Sequence, residues 1–210
     1  MSPDRSGRVV PVVGLILAGG QSRRMGGSDK SLRTLGGRPL LGHVIARAKP
    51  QVEILLINAN GDPSRFAAFG LPVVADAVEG FAGPLAGVLT GLEWAGKHAP
   101  DCPWVATFAT DAPFFPSDVV ARLMAAAQTQ RADVALAASG GRKHPVFGLW
   151  PVRLAPDLRA ALVGEGVRKV EDWTSRHRVA VADWPIEPFD PFFNANRPED
   201  LAEAERLLAR

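Results

Sequence analysis

The sequence predicts an α/β fold, three layers (α/β/α) around a mostly parallel sheet, on three observations. Short apolar runs alternate with longer stretches of helical period, the rhythm of strands covered by helices on both faces. The first of these runs, Val12-Val13-Gly14-Leu15-Ile16-Leu17, leads straight into a loop rich in glycine and arginine. With 210 residues and 47% hydrophobic content the chain can bury a large core, so residues 1–210 are expected to form a single domain.

The elements follow in order. Strands are expected at residues 12–17, 53–57, 72–75, 104–108, 134–138 and 147–150. Pro39, with its preset φ, starts a helix on which Leu40, Leu41, Val44, Ile45 and Ala48 form one apolar stripe. A second helix is expected from about Leu85 to Lys97, and a third from about Asp118 to Gln128 with Ser117 as its cap. The last begins near Arg197, where Asn196 followed by Glu199 has the spacing of a capping box. Between residues 139 and 192 proline and glycine interrupt the periodicity, leaving short helices around 157–163 and 168–176. By elimination this stretch is assigned to a second substrate.

Bulk properties exclude several classes. The net charge is +2 and the basic residues form no long run, which argues against nucleic-acid binding. Cys102 is the only cysteine, so no intrachain disulfide is available and no zinc pattern exists, and a reducing, cytoplasmic setting is expected. Arg5 and Arg8 ahead of an apolar run resemble a signal peptide. However, Pro11 and Gly14 break the run, no A-x-A exit follows, and Gly20 stands where a lipoprotein signal would need cysteine. No apolar stretch approaches the roughly 20 residues that span a bilayer.

The loop after the first strand concentrates net positive charge, 5 − 1 = +4 between residues 17 and 38 against +2 for the whole chain. Between residues 17 and 38, Arg23, Arg24, Lys30, Arg33 and Arg38 face only Asp29. Glycines 19, 20, 26 and 27 let backbone N–H groups approach an anion, and the cations supply charge at the same place, a combination suited to phosphate. Asp29, not glycine, precedes Lys30, and no G-x-G-x-x-G follows the strand. Neither a P-loop nor a dinucleotide fingerprint is therefore present.

In an open parallel sheet, ligands bind beyond the carboxyl ends of the strands. Four consecutive strands end there in polar groups: the glycine loop, Asn58-Ala59-Asn60, Asp76 and Thr110-Asp111. Asp111 can take magnesium, which needs only one or two carboxylates when phosphates and water complete its shell. Gly83-Pro84-Leu85-Ala86-Gly87 suggests a close backbone approach at a helix start, and His144, before Pro145, could donate to an anion when protonated.

These residues, in this order, resemble the molybdenum cofactor guanylyltransferases of the MobA type. The resemblance runs through Leu17-Ala18-Gly19-Gly20, Arg24-Met25-Gly26-Gly27-x-Asp29-Lys30, Asn58-Ala59-Asn60, Asp76, Gly83 to Gly87, Thr110-Asp111-x-Pro113, His144-Pro145 and Asn194-x-Asn196, nearly the whole chain. It implies a Rossmann-like sheet of the nucleotide-diphospho-sugar-transferase type, and transfer of GMP from magnesium-bound GTP to the terminal phosphate of molybdopterin, with release of pyrophosphate. It also implies Lys30, Arg24 and Asp111 as catalytic residues, with Asp111 holding Mg2+. The guanine nucleotide would be held by Leu17, Ala18, Gly19, Gly20, Lys30, Asn58, Asp76 and Asp111, and the pterin acceptor by His144, Asn194 and Asn196. Transient contact with molybdoenzymes or their chaperones follows from the family role. Arg197 departs from the threonine frequent before Pro-Glu in this family, and Gln21 and Ser22 fall at variable sites.

Two rival readings remain at this point. One is a sister enzyme using CTP, or another small nucleotidyltransferase; glycine rather than alanine at position 19 fits the guanine-using branch, where a Cβ would intrude on a purine edge. The other is a carrier that binds nucleotide or cofactor without turnover, for which retaining both Lys30 and Asp111 has no use.

Overall fold

The computed structural model describes residues 10–19, 30–80 and 83–208. In chain order the elements are β1 (Val12–Leu17), the short pair β2 (Thr34–Leu35) and β3 (Arg38–Pro39), α1 (Leu40–Ala48), β4 (Ile54–Asn58), β5 (Val73–Val74), α2 (Pro84–His98), β6 (Trp104–Ala109), α3 (Val119–Thr129), β7 (Val134–Ser139), β8 (Arg142–Pro151), α4 (Ala155–Arg159), α5 (Val170–Thr174), β9 (Val179–Trp184) and α6 (Pro198–Leu208). Seven strands form one sheet in the order β5-β4-β1-β6-β8-β7-β9. All neighbours are parallel except β8, which runs antiparallel to both β6 and β7. The sheet thus joins β5, β4, β1 and β6 to β7 and β9 through a single reversed strand.

Alternation along the strands divides the core into two. On β1, Val12 and Ile16 join α1 and α3 through Leu41, Val44, Val119 and Leu123. Val13 and Leu15 face the other way, onto Leu85, Leu89 and Leu92 of α2 and the buried Trp150 and Trp173. Strands buried on both faces read as continuous apolar runs, which is why the parallel strands were visible in the sequence. Gly91 lets α2 lie close over β1, because a Cβ there would stand 2.8 Å from Leu15 Cδ2.

Several elements differ from the sequence expectations. The strand expected at 147–150 extends over Arg142–Pro151 and is reversed. Its direction is set at Gly140 and Gly141, both with positive φ (54° and 76°), as a two-residue hairpin turn with right-handed strand twist requires. Gly36 and Gly37 (54° and 77°) make the same kind of turn between β2 and β3. The edge strand β9 was not expected either; its inward residues include the small Ala180 and Ala182, so the apolar alternation is faint. Ser117 does not cap α3. The N-cap is Asp118 without a side-chain cap bond, and its carboxylate instead accepts from Trp184 Nε1 at 3.3 Å.

Thr107 fixes the reversed strand to its parallel neighbour. Its buried hydroxyl donates to the Val146 carbonyl at 2.6 Å and accepts from Trp150 Nε1 at 2.8 Å and Gly148 N at 3.3 Å. Thr107→Val keeps the shape and strands the indole N–H without a partner. Urea denaturation should show a loss of about 1–3 kcal/mol; an unchanged midpoint would remove Thr107 from the β6–β8 junction.

Candidate active site

The carboxyl ends of β5, β4, β1 and β6 lie side by side, and the polar residues expected there arrive together. Leu17 pairs with Asn58 across β1 and β4, and the Ala18 amide donates to the Asn58 carbonyl at 2.9 Å. Ala59 N donates to Val74 O at 3.0 Å, which carries the chain toward Asp76. Asp111 follows β6 directly.

Asp76 is gripped on both oxygens. Asn58 Nδ2 donates to Oδ1 at 2.9 Å, and Asn60 Nδ2 donates to Oδ2 at 2.7 Å. Asn60 Oδ1 also accepts from the Asp76 amide at 2.8 Å. Asn58 itself is 3% exposed and spends its amide on Asp76 and on Val74 O at 3.2 Å. Its side chain therefore orients Asp76. Behind it, the missing Cβ of Gly87 leaves the room: a methyl there would sit 2.5 Å from Asn58 Oδ1 and from Leu17 Cδ2. The next turn of α2 adds Thr90, whose hydroxyl accepts from Ala77 N at 2.8 Å and donates to Ala86 O at 2.9 Å. Asn60 and Thr90 were not among the candidate site residues. The doubled asparagine of Asn58-Ala59-Asn60 was the available signal for the first; nothing in the sequence places Thr90 against the Ala77 amide.

Gly19 ends the described part of the loop, and a Cβ there would meet no described atom within 4 Å. Its small size is not needed for packing among the described residues. Gly20 and Arg24, with the rest of residues 20–29, lie outside the described residues.

Asp111 stands at the meeting of three parts of the chain. Burial pushes its carboxyl above the ordinary carboxylate range. Its own backbone amide, the Lys30 ammonium and a hydrogen bond from the Asn196 side chain act in the opposite direction. Lys30 is exposed at the start of a short 3-10 turn, Lys30–Leu32. Asn196 comes from the segment before α6, where Ala195 N also donates to Asp111 O at 2.7 Å. The expected capping box is not formed by Asn196 and Glu199. Asp200 reaches back instead, accepting from Asn196 N at 3.0 Å and Arg197 N at 2.8 Å, and this leaves the Asn196 side chain for Asp111.

His144 opens β8 and is 8% exposed. Its Nε2 lies 2.7 Å from Ser139 Oγ, which donates to Asp190 Oδ1 at 2.7 Å. Burial lowers its pKa, Asp190 opposes that and Arg142 adds to it, which favours the neutral ring. The protonated donor considered from sequence is disfavoured here. Asn194 is half-buried on the segment joining this cluster to Asn196. The geometry therefore offers an aspartate gripped by two asparagines, a desolvated aspartate beside a lysine, and a separate buried histidine cluster, spaced along one edge.

A divalent cation fits Asp111. The donor is a hard carboxylate oxygen whose charge burial disfavours and its neighbours offset only in part; among the described residues no group of three or more His, Cys, Asp or Glu side chains is placed to hold a metal, so water and substrate phosphates would have to complete the shell.

Residues 14–180 match the pattern of the MobA-like NTP transferase domain. The chain is 60% identical over 204 residues to a molybdenum cofactor guanylyltransferase of Bradyrhizobium sp. (strain ORS 278), covering 97% of this chain and 96% of that protein. It is 58% identical over 196 residues to one of Rhodopseudomonas palustris (strain BisB5), covering 93% of each. In fold it resembles the molybdopterin-guanine dinucleotide biosynthesis protein A of Archaeoglobus fulgidus, with a TM-score of 0.72 and 22% identity over 94% of this chain and 98% of that one. It also resembles a 4-diphosphocytidyl-2C-methyl-D-erythritol synthase of Anaerococcus prevotii, with a TM-score of 0.72 and 13% identity over 95% and 96% of the two chains.

The raised pKa of Asp111 sets a stability test. The ionised carboxylate is less favourable in the folded than in the unfolded chain, so its contribution to stability is full below the ordinary carboxylate value. It is lost as pH rises through the raised one. Asp111→Asn should therefore melt higher than the parent protein at pH 7, with the gap closing as pH falls below the ordinary carboxylate range. A lower melting temperature at pH 7 would contradict the burial argument.

Proposed function

The chain belongs to the MobA-like NTP transferase family, and from that membership and the setting of Asp111 we infer that it is a molybdenum cofactor guanylyltransferase. It moves GMP from GTP to molybdopterin, forms the guanine dinucleotide, and releases pyrophosphate. The observation that carries the mechanism is the convergence of Lys30 and Asn196 on Asp111 at the end of β6. The acceptor is a phosphate, already anionic, so no general base is required. Catalysis reduces to in-line positioning and neutralisation of charge.

In this reading Asp111 would hold Mg2+, which would supply positive charge to offset that of the reacting phosphates. Asn196 keeps the Asp111 carboxylate oriented by a hydrogen bond, and Lys30 adds positive charge beside it. Arg24 is assigned to the leaving pyrophosphate by the family resemblance. Asp76, with one side chain on each oxygen, is a rigid acceptor for the donors on the guanine nucleotide, and the backbone of Leu17, Ala18, Gly19 and Gly20 borders the same site. Asn58 acts by orienting Asp76. His144, Asn194 and Asn196 lie toward the pterin, which gives the first half of the chain the nucleotide and the second half the acceptor within one domain.

No described helix is long and apolar enough to cross a membrane. We place the reaction in the cytoplasm, where GTP is supplied, with the product passed on by transient contact with molybdoenzymes or their chaperones.

Pyrophosphate release with molybdate-loaded molybdopterin and magnesium, run separately with GTP, CTP and ATP, tests the reaction. GTP alone should give product, identified by mass as the guanine dinucleotide; turnover with CTP alone would transfer the reading to the cytidine-using branch. Asp111→Ala should lower turnover at least about 100-fold, the scale of a lost electrostatic contributor. Retained turnover would take Asp111 out of the mechanism. Gly19→Ala separates binding from folding. It should leave the melting temperature unchanged, because no described atom opposes the methyl, and raise the KM for GTP about tenfold, a loss equivalent to ~1.4 kcal/mol of binding. An unchanged KM would show that no purine edge approaches this position.

A further inference from the structure

The carboxyl end of β7 carries a polar cluster that the transfer chemistry does not use. Ser139, the last residue of β7, is 2% exposed and stands between Asp190 and His144. A serine hydroxyl has one proton, and here Oγ donates it to Asp190 Oδ1 at 2.7 Å. Toward His144 Nε2, also 2.7 Å away, the same oxygen is left with lone pairs only. The hydrogen on that contact must therefore come from the imidazole, which makes Nε2 the protonated nitrogen and Nδ1 the bare one.

The surroundings hold this arrangement rigid. Asp190 Oδ1 also accepts from Phe192 N at 2.9 Å. The ring of Phe192 stacks on His144, with centroids 4.6 Å apart and planes 25° from parallel, and contacts Phe147 and Trp184 at 5.0 Å and 5.4 Å. Ser139 thus fixes the rotation of the imidazole and Phe192 fixes its plane. Among the described residues Nδ1 of His144 has no hydrogen-bond partner, which leaves its lone pair for a ligand.

We propose that Asp190 and Ser139 are a positioning couple that holds His144 as its Nε2–H tautomer, so that His144 offers the lone pair of Nδ1 to an N–H group of the pterin and not a proton to a phosphate oxygen. Pterins carry ring and exocyclic N–H donors that an imidazole lone pair can accept, whereas a phosphate has only acceptors at neutral pH. The lowering of the His144 pKa by burial agrees with a ring that stays neutral while it does so. The assignment rests on the reading above that this end of the sheet receives molybdopterin.

Two measurements on the full-length protein test it. In 15N NMR of the histidine-labelled chain at pH 7, His144 should show a protonated Nε2 and a bare Nδ1, and Ser139→Ala should abolish that preference. The opposite tautomer in the parent protein would overturn the proposal. In steady-state assays Ser139→Ala should raise the KM for molybdopterin about five- to tenfold, the effect of one lost hydrogen bond, while the KM for GTP is unchanged. Ser139→Thr, which keeps the hydroxyl, should restore it. A uniform fall in kcat with both KM values steady, alongside a lower melting temperature, would mean that the cluster only ties the 190–193 segment to the hairpin, and would refute the couple. His144→Ala separates the two layers of the argument. An unchanged KM for molybdopterin there would refute the acceptor-side placement, while a raised KM there with Ser139→Ala unaffected would keep the placement and refute the couple.

Discussion

Everything at the reacting edge depends on keeping one carboxylate charged where burial opposes the charge. Asp111 is raised above the usual range by desolvation, and what opposes that rise comes from opposite ends of the chain: Lys30 from just after the first strand and Asn196 from just before the last helix. Neither neighbour neutralises it fully. A carboxylate left partly uncompensated is suited to a cation, since an ion that supplies the missing charge gains more from a desolvated oxygen than from one already paired with arginine. Asp133 makes the contrast. Held by Arg153 and Arg178 at the surface, it falls to about 2 and has no comparable demand for a partner.

Asp76 solves a different problem. Asp76 has a hydrogen-bond donor on each oxygen and a third bond through its amide, so its position is fixed before any ligand arrives. Preorganisation of this sort lowers the ordering cost of binding. It has requirements deeper in the structure: Asn58 must be buried beneath Asp76, and Gly87 must lack a side chain for Asn58 to fit. A glycine inside a helix costs about 1 kcal/mol relative to alanine, and here the close approach of α2 to β1 and β4 accounts for it.

Much of this edge was legible in the sequence because position after an apolar run is itself informative. Asn58, Asp76 and Asp111 each follow a strand that reads clearly, and parallel strands place such residues along one rim. Lys30, which stands beside Asp111, was legible by composition. What could not be read were pairings that depend on strand order or on distant segments. Ser139 and Asp190 are 51 residues apart and meet because β9 runs parallel beside β7, with Trp184 opposite Ser139. Asp200 looked like an ordinary first-turn acid, yet it takes the backbone amides that Asn196 was expected to serve. The edge strand β9 was hidden because alanines make up much of its inward face, and the Gly-Gly turns that create β8 were visible as dipeptides without their partners.

On the reading proposed above, the reversed strand also lets one sheet serve two substrates. Parallel strands β5, β4, β1 and β6 bring their carboxyl ends to one rim, but β8 brings its amino end, so His144 arrives there at the start of a strand. The segment from Asp190 to Asn196 then closes the interval, beginning at Ser139 on β7 and ending at Asp111 on β6. A reaction between two phosphates needs its partners brought in line more than it needs acid or base. A rim on which one substrate is held by parallel strand ends, the other by a hairpin, and the shared carboxylate by a segment tied to both, meets that need with few movable parts.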